Sequence, residues 1–74
     1  MAERIHAEIV AKVIEVARSV GADLVAGDAV LLLESMKMEI PVLTGTACRL
    51  SHLAVRVGDV VQEGDLLAVV EQVP

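Results

Sequence analysis

The chain has 74 residues, with six basic against eleven acidic side chains and a formal charge of −5. That length predicts a single domain over residues 1–74, near the lower limit at which a hydrophobic core holds a fold together, and leaves no room for an enzyme with its own substrate cleft. Apolar residues make up 55% of the chain yet include no Phe, Tyr or Trp. The core must therefore use branched aliphatic side chains, which suits a small all-β barrel or sandwich. The acidic balance and the missing stacking platforms each disfavour nucleic-acid binding, and an anionic membrane surface would repel the chain. No stretch has the pattern of a signal peptide or the length of a bilayer span, so the expected location is the cytoplasm.

Along the chain, a first strand is expected near Ala7. From Glu8 to Val20 the apolar positions Ile9, Val13, Val16 and Val20 recur at helical spacing. β-Branched residues dominate that segment, however, and its later echo, Leu50, Leu53, Val55 and Val57, ends in alternation, so a strand centred near Val13 is expected instead. Further strand centres fall near Leu24, Leu31, Ile40, Leu50, Val61 and Val69, each strand about five residues long.

The elements repeat. Val20 to Val30 is echoed by Val57 to Leu67 at a constant offset of 37, and the echo extends to Val13 and Val16 on one side and Leu32-Leu33-Glu34 on the other. In each half the second of two glycines is followed by Asp and then by a Val- and Leu-rich run, the pattern of a turn feeding a strand. Two such halves predict a pseudo-twofold. The offset carries Lys37 onto Pro74, so the lysine and the chain termini should occupy opposite ends of the domain.

Glu34-Ser35-Met36-Lys37-Met38-Glu39-Ile40 lies between two strand-like runs, which puts Lys37 at a hairpin tip. Solvent-facing methionines beside a turn add little to a core, whereas flexible thioethers make adaptable contacts with a partner. Glu34 and Glu39 flank the tip either as solvated charges or as a recognition feature. Lys12, the other lysine, falls mid-strand. Cys48, the one cysteine, reads as a core thiol, and His6 and His52 stand outside any ligand pattern, so neither a metal site nor a catalytic set is expected.

Met36-Lys37-Met38 preceded by Glu34-Ser35, between two halves that each carry a Gly-Asp turn, resembles the attachment motif of biotin carboxyl carrier domains. The resemblance runs from about Ala7 to Glu71. It implies a flattened β-barrel of two four-stranded antiparallel sheets related by a pseudo-twofold. It also implies that a biotin protein ligase joins biotin, activated as its adenylate, to Lys37, with Met36, Met38, Glu34, Ser35 and Glu39 as its recognition residues. The implied partners beyond the ligase are a biotin carboxylase and a carboxyltransferase of the acyl-CoA type. Ser35 stands where the family usually has Ala, and Ala11 and Cys48 where it commonly has Gly. The chain is similar to the short, thumbless bacterial attachment proteins, and its Met1 start and lack of a linker-like tail favour a stand-alone protein. The alternatives are a lipoyl carrier of the same fold, whose lysine typically sits between Asp and Ala, with lipoate as cofactor, and an unmodified docking module.

Overall fold

Four turns of one construction shape the chain. In Ser19–Ala22, Val25–Asp28, Arg56–Asp59 and Gln62–Asp65 the fourth residue donates its N–H to the carbonyl of the first at 3.0–3.1 Å. The third residue is always Gly, at φ between +91° and +98°, as a type II turn requires. In three of the four, the Asp in last place also accepts the N–H of the first residue: Val25 to Asp28 at 3.0 Å, Arg56 to Asp59 at 2.9 Å and Gln62 to Asp65 at 2.8 Å. Ala22 fills that place in the remaining turn and has no carboxylate to offer.

The computed structural model describes residues 2–72. Between and beyond the turns run β1 (Ala2–His6), β2 (Ala11–Val16), β3 (Asp23–Leu24), β4 (Ala29–Ser35), β5 (Met38–Leu43), β6 (Cys48–Leu53), β7 (Val60–Val61) and β8 (Leu66–Gln72). They form two four-stranded sheets of order β1-β8-β6-β3 and β5-β4-β2-β7, every pairing antiparallel. Among the described residues no helix is long and apolar enough to cross a membrane.

The offset of 37 carries β2 onto β6, β3 onto β7 and β4 onto β8 residue for residue. The irregularities repeat too. Ladder shifts at Val13/Glu15 and Leu50/His52 are mates, and so are the extra residues Val30 in β4 and Leu67 in β8. The bulge in β2 accounts for the three-residue step from Val13 to Val16, because an inserted Ile14 breaks the alternation and brings Val16, rather than Glu15, back toward the core; Ile9 and Val20, the outer members of the helix-like series, lie outside β2 and are exposed.

Buried residues also come in mates: Ala7 with Thr44, Ala11 with Cys48, Val13 with Leu50, Leu24 with Val61, Val30 with Leu67, Leu31 with Ala68, and Leu33 with Val70. Each such Val or Leu contributes about 1.5–3 kcal/mol by leaving water. Val55 is the exception, and its mate Arg18 instead forms an ion pair with Asp28 at 3.5 Å. Thr44, the one polar member, donates its hydroxyl to the Val25 carbonyl at 3.0 Å. Cys48 is buried, as the sequence predicts, and burial pushes its thiol pKa up, with a hydrogen bond to Thr44 partly opposing the rise.

Three expectations need correction. β1 is centred near Arg4 rather than Ala7; Ala7 is buried but lies past the strand, and β1 itself is an edge strand of mostly exposed residues with little apolar signal. β3 and β7 have two residues each rather than about five, since they only close the far edges of the sheets. The alternation through Val55 and Val57 is not strand: β6 ends at Leu53, and Val57 faces solvent in a turn. Pro74, the expected mate of Lys37, lies outside the described residues.

Candidate functional site

β4 and β5 are joined by the tightest connection in the β4–β5 sheet. Ser35 pairs with Met38, which leaves Met36 and Lys37 as a two-residue loop. Both loop residues have positive φ, 53° at Met36 and 65° at Lys37, the signature of a type I′ hairpin turn. Such turns normally use Asn-Gly, because Gly has no Cβ and Asn is among the few residues with one that tolerate positive φ, whereas most other side chains are strained there. Here the strained positions hold a thioether and an amine.

The tip projects its side chains outward. Met36 is 89% exposed and Met38 61%, and Lys37 is exposed between them. Burial cannot explain methionine at these two positions. The two ion pairs found among the described residues, Arg18–Asp28 and Arg49–Asp23, leave the Lys37 amine out. An exposed primary amine at the apex of a strained two-residue turn is accessible to an enzyme that must close around it, and the turn fixes the direction in which its arm departs. The arrangement suits acylation by an external donor.

The flanking residues fall into a row. Glu39 lies opposite Glu34, and Glu34 lies opposite Lys12 on the next strand. Residues directly opposite in antiparallel strands share a face, so all three point outward from the β5-β4-β2-β7 sheet, and all three are exposed. Ser35 is half-buried beside the turn. The sequence groups Met36, Lys37, Met38, Glu34, Ser35 and Glu39 by proximity along the chain, and the fold brings all six to one end of one sheet. Lys12 joins them only through the strand register, which chain proximity does not reveal.

Elsewhere, a shallow groove of about 400 Å³ runs between edge strands β1 and β5, lined mainly by Ile5, Ile9, Ile40, Val42, Leu43 and Leu67, and Lys37 is not part of it. No group of three or more His, Cys, Asp or Glu side chains among the described residues is arranged to hold a metal ion.

The family model described as "Biotin-requiring enzyme", the biotin/lipoyl attachment domain, matches residues 5–70. This chain belongs to that family. It is 59% identical over 70 residues to the biotinylated protein TB7.3 homolog of Mycobacterium leprae, covering 95% of this chain and 99% of that protein. The corresponding protein of Mycolicibacterium smegmatis is 51% identical over 71 residues, covering 96% of this chain and all of that one. Among solved structures, a single-chain, multi-domain long-chain acyl-CoA carboxylase matches 97% of this chain with a TM-score of 0.90 and 35% identity. The urea carboxylase of Kluyveromyces lactis matches 95% with a TM-score of 0.88 and 31% identity. This chain spans 7% and 6% of those two proteins, so it corresponds to one small domain of each. The flattened pair of four-stranded sheets expected for the biotin/lipoyl attachment family is the fold observed.

Proposed function

We propose that the chain is a biotin carboxyl carrier, a single non-catalytic domain in which Lys37 Nζ is joined to biotin through an amide bond. One observation carries the reading. In a chain matched along nearly its whole length to a protein described as biotinylated, an exposed lysine sits at the apex of a strained turn between two exposed methionines. In the attachment step Nζ attacks an activated acyl donor held by a biotin protein ligase; the N–C bond forms, the activating group leaves, and the Nζ proton passes to the ligase or water. No base on this chain is needed for that step.

When bound, biotin supplies a ring nitrogen able to take up and give away a carboxyl group. The protein's part is mechanical. The paired strands β4 and β5 hold the attachment point rigidly, and the lysine side chain adds reach. Tethering turns each encounter with a biotin carboxylase or an acyl-CoA carboxyltransferase into one at high effective concentration. The reading goes with a cytosolic location, where the ligase finds its ATP.

The test is to incubate the purified chain with a biotin protein ligase, biotin and ATP. Wild-type protein should gain the mass of one biotinyl group and Lys37→Arg should gain none. A Lys37→Arg protein that is still modified would move the site to Lys12 and overturn the assignment. A chain that takes up only lipoate, from a lipoate ligase, would keep the fold and change the cargo.

A further inference from the structure

The pseudo-twofold supplies an internal control. Positions i and i+37 meet the same demands of the fold, so an exposed residue that differs from its mate is free of those demands. Across the outer face of the β5-β4-β2-β7 sheet, the row beside the tip reads Glu39, Glu34, Lys12, Val60. Its mate across the other sheet reads Ala2, Glu71, Arg49, Asp23. In that second row Arg49 and Asp23 close an ion pair at 3.0 Å. In the first, Lys12 has the register partner of Arg49, but valine replaces the aspartate and is 64% exposed.

Strand propensity does not account for Val60. β3 makes the same two-residue edge strand with Asp23-Leu24, and only the second position of each, Leu24 or Val61, enters the core. Val60 is therefore an exposed aliphatic side chain where the fold accepts a charge. It stands two strands across from Glu34, roughly 10 Å at ordinary strand spacing, and Glu34 lies three residues from Lys37, roughly another 10 Å along the strand. A standard protein footprint of about 800 Å² per partner has a radius of about 16 Å, so one partner seated on the tip covers both.

On this basis, and given the reading of Lys37 above, we propose that Val60 and the Glu39-Glu34-Lys12 row form the flank on which the biotin protein ligase seats itself, Val60 being a specificity-determining contact. The ligase is the partner favoured by geometry. It alone must close its active site on Nζ at the turn itself, whereas enzymes that handle the carboxyl group work at the far end of the arm. The chemistry required of its surface is an apolar contact for Val60 beside cationic groups facing Glu34 and Glu39.

The mate row also defines the test. Val60→Asp copies the Asp23 arrangement and gives Lys12 the partner that Arg49 has, so the strand should form normally; Asp23→Val is the mirror control. With ligase, biotin and ATP, Val60→Asp should lower kcat/KM for biotinylation by about tenfold, the loss of one good interface contact, while Asp23→Val stays within about twofold of wild type. Both should melt close to the wild-type temperature. Val60→Thr, which keeps the β-branched shape, covers the case in which the aspartate disturbs the strand and should give an intermediate rate. Wild-type rates in Val60→Asp, or equal losses in both mirror variants, would overturn the proposal. So would a change in self-association on sedimentation without a change in biotinylation. If wild-type protein is never modified at Lys37, it is the reading of Lys37 that fails rather than this one.

Discussion

At Gly58 and its mate Gly21 the backbone enters positive φ on a residue that does so freely, while at Met36 and Lys37 it does so on two side chains that do not. The first pair belongs to turns reinforced by backbone hydrogen bonds and, at Arg56–Asp59, by an aspartate carboxylate. The second pair forms a loop with no glycine and no aspartate, and it presents the most exposed large apolar side chain of the described residues. One chain thus treats the same backbone problem in two ways, and the difference separates turns whose residues suit their backbone from a turn whose residues local stability does not explain.

Gly58 is where a single substitution should separate the two kinds of turn most clearly. An added Cβ there would meet nothing within 4 Å, so Gly58→Ala isolates the conformational penalty at φ +98°. It should cost about 1–2 kcal/mol. The melting temperature of a domain this size should fall by roughly 5–10 °C, and the rate of Lys37 modification per folded molecule should not change. Next comes the turn that lacks its aspartate. Ala22→Asp supplies the carboxylate that Asp59 provides in the other half and should raise stability by about 0.5–1 kcal/mol in urea unfolding.

Met36→Asn sharpens the contrast from the other side. Asparagine tolerates left-handed backbone, so the tip should gain about 0.5 kcal/mol while biotinylation slows. A variant both more stable and equally well modified would show that the thioether is not read by the ligase. The smallest effect concerns Cys48, whose mate is Ala11. Burial raises the thiol pKa, so the stabilisation from the neutral buried thiol is present below its unfolded-state pKa and is lost as pH rises through the folded one. The urea midpoint of wild type should therefore fall in alkaline solution more than that of Cys48→Ala.

Much of this was legible in the sequence because the fold is a repeat. The offset of 37 found in Val20–Val30 and Val57–Leu67 proved to hold strand for strand, and Met36-Lys37-Met38 fell at the turn between the halves. The first strand was obscured because Ala2 to His6 is polar and lies at an edge, although subtracting the offset from Ile40 points to Glu3, inside it. The bulges at Ile14 and Ser51 were not legible, since an inserted residue imitates a helical period. Neither was the type I′ geometry of the tip, because Met-Lys carries none of the usual turn residues. The row that ends at Val60 needs strand register, which pairs residues distant in sequence.

Attachment of biotin to Lys37 is tested by intact mass and peptide mapping of the protein purified from its native host. One biotinyl increment is expected, confined to the peptide containing Lys37. An unmodified Lys37 in a host whose ligase biotinylates its other carriers would contradict it.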